Sequence, residues 1–211
     1  MTATTATRSE RADASAVIFY AAAALVAVGI GTALRVAATF REVGIAWSMP
    51  IDEQPLSATV DSGQQSIDGV AQEVMVFATG VDGAAVAAIV ASIALWALAA
   101  TAVIGAVTLV AWNFLRGRFF VPSNARAFDV IGWTLVLAPI AIVMLEAVAR
   151  NGISAALGLG AGEPAHPIEF WAVAPIFATG VAVGLIAVAF RRGIRLQQEK
   201  SVLEKETEGL V

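Results

Sequence analysis

The sequence predicts an all-α membrane protein: a bundle of four transmembrane helices, with a small extracytoplasmic segment between helices 1 and 2. Apolar residues make up 58% of the chain and charged residues 14%, and the mean hydropathy is +0.79. Soluble domains carry about 25% charged residues. The charges are also unevenly placed, because residues 84–115 contain no ionisable side chain whereas residues 191–211 are densely charged. Apolar runs of about 20 residues match the thickness of the bilayer core. These observations favour a membrane protein over a soluble globular domain.

The hydrophobic runs divide the chain into a membrane domain and two polar ends. Residues 1–14 are expected to be a disordered N-terminus, and residues 191–211 a charged tail. A cleaved signal peptide is the rival interpretation of the first run, because Val36-Ala37-Ala38 resembles a small-residue cleavage site. A retained anchor is favoured, since the run is longer than the core of about 7–15 residues in signal peptides. The predicted spans within the membrane domain, residues 15–190, are about 15–35, 95–115, 128–149 and 170–190.

The second apolar run is too long for a single span. A helix over residues 84–115 would measure about 48 Å, against a hydrocarbon core of about 30 Å. Counting back from Arg116 places the membrane part at residues 95–115. We therefore expect the Ala-rich start of this helix to project beyond the bilayer and to pack under the preceding polar segment.

That polar segment, residues 42–83, is acidic and contains no Lys or Arg. Residues 43–47 and 56–60 have the character of short β-strands, separated by Pro50 and Pro55. Residues 67–78 fit either a strand or an amphipathic helix. The seven acidic residues are Glu42, Asp52, Glu53, Asp61, Asp68, Glu73 and Asp82.

The basic residues predict the orientation. We expect the chain to lie in the inner (plasma) membrane with both termini in the cytoplasm. In this topology ten basic residues lie inside and three outside, which is a strong positive-inside bias. The outer three are Arg35, Arg41 and Arg150. The inner ten are Arg8, Arg11, Arg116, Arg118, Arg126, Arg191, Arg192, Arg195, Lys200 and Lys205.

Glu146 lies inside the third apolar run and needs a cationic partner, because an unpaired carboxylate is costly in hydrocarbon. Arg150 follows at i+4 on the same helix. Arg35 lies about 19 residues from the cytoplasmic start of helix 1 and Glu146 about 18 from that of helix 3, so their depths coincide. An interfacial ion pair that fastens two helices is favoured over a proton or ligand relay, because Glu146 lies near the interface and not at the midplane.

Small residues and prolines mark the later helices. Gly180 and Gly184 form a GxxxG pair that is expected to serve helix packing within the bundle in preference to homodimerisation. Pro139 and Pro175 lie inside helices 3 and 4. Ordinary kinks are favoured there over the broken helices of a transporter site. A similar small-residue row in helix 2 comprises Ala97, Thr101 and Gly105.

The expected ends of helix 3 follow from local signals. Ser123 or Asn124 is expected to cap its N-terminus. Asn151-Gly152 is expected to stop it.

No catalytic, cofactor-binding or metal-binding residues are predicted. The chain has no Cys and a single histidine, His166, which is interpreted as a lone loop residue although Glu163 and Glu169 flank it. Nucleotide-binding loops, hydrolase elbows and nucleic-acid motifs are absent from the sequence. We therefore expect no enzyme, no cofactor and no direct nucleic-acid binding.

Two segments resemble a known family. Residues 113–126, Asn-Phe-Leu-Arg-Gly-Arg-Phe-Phe-Val-Pro-Ser-Asn-Ala-Arg, are followed by Ile-Gly-Trp at 131–133. Residues 190–199 read Phe-Arg-Arg-Gly-Ile-Arg-Leu-Gln-Gln-Glu, and the chain ends Glu-Thr-Glu-Gly-Leu-Val. Together with four spans, these segments resemble the bacterial membrane family known as domain of unknown function 2975. Many of its members read closer to Glu-Leu-Thr-Val at the end. The resemblance implies no biochemical activity, and the small helix-turn-helix regulators encoded beside some members suggest signalling.

These observations predict a non-enzymatic membrane protein with a regulatory or signalling role through its cytoplasmic face. Its partners would be the lipid bilayer and either a cytosolic protein or anionic lipid headgroups; the sequence leaves the oligomeric state open. The alternative is a small transporter or channel that uses Glu146 and the two proline-kinked helices. The predicted contact residues are Arg116, Arg118, Phe120, Asn124, Arg126, Arg191, Arg192 and Arg195.

Overall fold

The fold is mostly helical with one small antiparallel sheet, as the coarse class predicted. A computed structural model describes residues 8–60, 65–158 and 167–208. The helices are α1 (Arg8–Thr39), α2 (Gly83–Leu115), α3 (Pro122–Ala156) and α4 (Pro167–Glu208). The strands are β1 (Phe40–Arg41), β2 (Gly44–Val60) and β3 (Gln65–Ala78).

Each of the four helices contains a stretch long and apolar enough to cross a membrane. These stretches are Ser15–Thr39, Gly83–Leu115, Pro122–Ala156 and Val173–Lys200. The chain thus has the helices of a multi-pass membrane protein. The sheet lies at one end of the helices, here called the sheet end, and the α2–α3 turn lies at the other end.

The helices pack in the order of the chain. Extensive interfaces join α1 to α2, α2 to α3 and α3 to α4. Among the described residues, α1 and α4 share no extensive interface, so they flank the central pair α2 and α3 and leave the bundle open.

The helices extend beyond the predicted spans at both termini of the chain. α1 begins at Arg8, so residues 8–14 are helical and the prediction of disorder there is wrong. The reason is local, because the segment is rich in Arg, Glu and Ala, which are good helix formers. α4 continues through the charged segment to Glu208, while residues 1–7 and 209–211 lie outside the described part.

Both predicted ends of α3 are wrong. Val121 is the N-cap without a side-chain cap bond, and Pro122 occupies the first turn, where its missing N–H is harmless. The helix also continues past Gly152 to Ala156. A Cβ on Gly152 would meet Ala85 of α2, so this glycine lets the two helices pack closely. The chain leaves the helix after Leu157, where Gly158 adopts a positive φ of 70°.

The segment between α1 and α2 is a long β-hairpin extended by β1, with strand order β1-β2-β3. Residues 67–78 form a strand and not a helix. The predicted division into two short strands is wrong, because β2 runs through both prolines. The pairing shifts between Pro50 and Gln54, which lie opposite Glu73 and Ala71. β1 covers only the start of β2, so the rest of β2 has a free edge, where proline is tolerated.

A hydrophobic core joins the hairpin to α2 and α3. Ile45, Trp47 and Val76 pack from the base of the hairpin against this core. The Ala-rich start of α2 therefore lies beneath the strands, as its excess length suggested. The buried residues of this core are Ala78, Ala88, Ile89, Ile93, Ala149 and Ile153.

Candidate functional site at the basic end of the helices

The end of the helices opposite the sheet carries all eight predicted contact residues. It comprises residues 112–129 and 190–199 and is called the basic end. Its α2–α3 turn is held by two buried asparagines. Asn113 Nδ2 donates to Ser123 Oγ at 3.1 Å and to Asn124 Oδ1 at 2.8 Å. Asn124 Nδ2 donates to the carbonyls of Arg118 and Phe119 at 3.0 and 2.8 Å. Because a buried amide is costly unless it is bonded, this network fixes the shape of the turn.

The backbone of the turn is closed by the same residues. The carbonyl of Asn113 accepts from the amides of Arg116 and Arg118 at 3.1 and 2.9 Å. Gly117 has a φ of +68°, a conformation that side chains disfavour. The predicted contact residue Asn124 is fully buried, so it acts as the support of the turn and not as a surface for a partner.

An aromatic cluster connects this turn to α4. The ring of Phe190 lies 4.9 Å from that of Phe128, 5.6 Å from that of Phe120 and 6.2 Å from that of Phe114, measured between centroids. Phe114 also contacts Phe119 at 5.1 Å. These rings belong to α2, the turn, α3 and α4, so one cluster fastens all four segments together.

Gly193 provides the space for this contact on α4. A Cβ on Gly193 would lie 2.8 Å from Phe120 Cε1, too close for an unmoved ring. The two sequence segments that carry the family resemblance, 113–126 and 190–199, therefore meet in space. The sequence alone contained no signal that they form a single contact.

Charged side chains surround this aromatic cluster. Arg191 Nη1 donates to Asp129 Oδ1 at 2.6 Å, which fastens α4 to α3. Arg195 Nε donates to Glu199 Oε1 at 2.8 Å, and the guanidinium of Arg116 lies 4.3 Å from the ring centroid of Trp112. The six exposed arginines of this end are Arg116, Arg118, Arg126, Arg191, Arg192 and Arg195.

Three of those arginines, Arg118, Arg126 and Arg192, form no ion pair with another described residue. Guanidinium groups bind carboxylates and phosphates through two parallel hydrogen bonds. The basic end therefore has the chemistry of an anion-binding surface on a rigid support.

At the opposite end, the structure brings together the two charges whose depths matched. Arg35 Nη2 lies 2.9 Å from Glu146 Oε1, and the two side chains are 41% and 30% exposed. Arg150 lies one turn further along α3 and is half-buried. The pair joins α1 to α3, which share no extensive interface among the described residues.

The glycines of α4 pack within the chain. A Cβ on Gly180 would lie 3.0 Å from the carbonyl oxygen of Gly132, and one on Gly132 would lie 3.2 Å from the amide of Gly184. The partner of the GxxxG pair is thus Gly132 on α3, which the sequence analysis named in the Ile-Gly-Trp segment but not as a packing residue. Gly105 of the row in α2 faces open space.

The remaining predicted features carry no site in the described residues. α3 and α4 continue as helices through Pro139 and Pro175. His166 and Glu163 lie outside the described residues. Within residues 8–60, 65–158 and 167–208, no group of three or more His, Cys, Asp or Glu side chains has the geometry to hold a metal ion.

Comparison with family models, curated proteins and solved structures finds no match. The resemblance to the family of unknown function therefore stays a prediction.

Proposed function

We propose that this chain is a non-catalytic, multi-pass protein of the inner membrane that docks an acidic cytosolic protein in a regulatory or signalling role. The observation that carries the proposal is the basic end, where exposed arginines stand on a turn fixed by Asn113 and Asn124. A preformed surface loses little conformational entropy on binding, which favours a docking role.

The charge distribution supports a cytoplasmic position for this surface. The basic end lies on the side of α1 and α4 where the chain termini emerge, and ten of the thirteen Lys and Arg residues belong to this side of the predicted topology. Anionic lipid headgroups would compete for the same arginines. The arginines of the α2–α3 turn serve the cytosolic partner.

The test is capture of partners from native membranes. Tagged protein carrying Arg116→Gln and Arg118→Gln should lose a salt-sensitive cytosolic partner that wild-type protein retains. Arg41→Gln is the matched control, because Arg41 is an exposed arginine at the sheet end. If the double variant and wild type capture the same proteins in the same amounts, the proposal is wrong.

The transporter or channel alternative depends on Glu146. Its Oε1 is already paired with Arg35, which supports a fastening role for this carboxylate. Purified protein in proteoliposomes is expected to conduct neither protons nor small ions. A pH-dependent flux that disappears in Glu146→Gln would favour the transporter instead.

A further inference from the structure

A groove between α3 and α4 ends at the Asp129–Arg191 ion pair. Its volume is about 360 Å³, within the range of about 300–1,000 Å³ typical of small-molecule sites. We propose that this groove holds one acyl chain of an anionic phospholipid, whose phosphate binds the arginines around Arg191.

The apolar part of the groove suits a hydrocarbon chain. Gly132, Gly180 and Gly184 form its floor, because the absence of side chains there lets the helices approach and leaves a depression above them. Trp133 and Val181 form its walls and are 64% and 47% exposed. Both helices are long and apolar enough to cross a membrane, so the chains of lipids would lie against this surface.

The charged part suits a phosphate. Residues seven apart lie on one face of a helix, so Arg126 lies on the face of Trp133, one turn before Asp129. On α4, Arg195 follows Arg191 at i+4 and so lies on the same face, and Arg192 is the next residue after Arg191. Asp129 and Arg191 line the groove, and three further arginines, Arg126, Arg192 and Arg195, lie within one helical turn of them along α3 and α4. Of these three, Arg195 is paired with Glu199. This excess of positive charge favours an anionic headgroup over a zwitterionic one.

The apolar and charged parts of the groove are close enough to bind the acyl chain and the phosphate of a single phospholipid. Trp133 lies one helical turn, about 5–6 Å, from Asp129 along α3. An acyl chain in the groove would therefore begin directly next to a phosphate held by the arginines. A free phosphate would use only the charged part, and a cytosolic protein only the exposed arginines.

The test is lipid binding by the full-length protein in detergent, measured by native mass spectrometry with phosphatidylglycerol and phosphatidylcholine. Gly184→Leu should lower the affinity for phosphatidylglycerol at least tenfold, because a Cβ at Gly184 meets nothing within 4 Å and the side chain fills the groove without moving α3. Gly105→Leu is the matched control, since its Cβ also meets nothing within 4 Å, and it should bind as wild type does.

A second pair of measurements separates the two halves of the proposal. The double variant Arg126→Gln, Arg192→Gln should lose the preference for phosphatidylglycerol over phosphatidylcholine. Trp133→Ala should lower the affinity for both lipids several-fold. The proposal is overturned if Gly184→Leu and Trp133→Ala bind phosphatidylglycerol as wild type does, or if wild type shows no preference between the lipids. Partner capture, which depends on Arg116 and Arg118, is tested separately and can fail without affecting this result.

Discussion

At the scale of single residues, Asn124 contributes most to the shape of the basic end. Its side chain is fully buried and donates to two carbonyls of the turn while accepting from Asn113. Its residue type suggested a helix cap, because asparagine is favoured at that position. The structure uses the same polar group for a contact across the turn, which depends on the path of residues 116–121 and so was not predictable from spacing.

Asn124→Ala should lower the free energy of unfolding by about 1–3 kcal/mol, because the carbonyls of Arg118 and Phe119 lose their side-chain donor and the buried amide of Asn113 loses one of its two acceptors. Denaturation in detergent micelles, followed by circular dichroism, measures this change. Asn151→Ala is the control, since Asn151 is an exposed asparagine on the same helix. Equal stabilities of the two variants would contradict the assigned role of Asn124.

At the scale of elements, the Arg35–Glu146 pair joins α1 to α3, in addition to the interface between α1 and α2. It was predictable because two apolar runs of known direction place their charges at calculable depths. A surface ion pair contributes about 0.2–1 kcal/mol, whereas loss of one partner from a buried pair costs about 3–5 kcal/mol.

Arg35→Gln and Glu146→Gln should each destabilise the protein. The double variant should lose less stability than the sum of the two single losses. The reason is that each single variant leaves one charge unpaired in an apolar setting. A double-mutant cycle of thermal unfolding in detergent measures the coupling. Additive effects would show that the pair does not fasten α1.

The sheet-end core is the second element-scale feature. Ile89→Ala should cost about 2–5 kcal/mol, because the removed side chain leaves a cavity under the hairpin. Val90→Ala is the matched control, since Val90 is 51% exposed whereas Ile89 is 1% exposed. Limited proteolysis of the hairpin, compared between the two variants, would show whether the core holds the strands. Equal cleavage rates would contradict this role.

At the scale of the whole molecule, the four apolar helices were predictable because composition and run length alone determine them. The continuity of β2 through Pro50 and Pro55 was not, because it depends on a free edge that only the pairing reveals. The contact between Phe120 and Gly193 was missed for a similar reason, since the residues are far apart in the chain and share no motif. The packing role of Gly132 was missed because a lone glycine in an apolar run gives no packing signal.

The positive-inside bias predicts that the basic end lies in the cytoplasm and the β-hairpin outside it. Because the chain contains no Cys, single cysteines introduced at exposed positions report the side of the membrane directly. Intact cells carrying Gln54→Cys or Arg118→Cys are treated with a membrane-impermeant maleimide, before and after permeabilisation. We predict labelling of Gln54→Cys in intact cells and of Arg118→Cys only after permeabilisation. Labelling of Arg118→Cys in intact cells, with Gln54→Cys protected, would contradict the account.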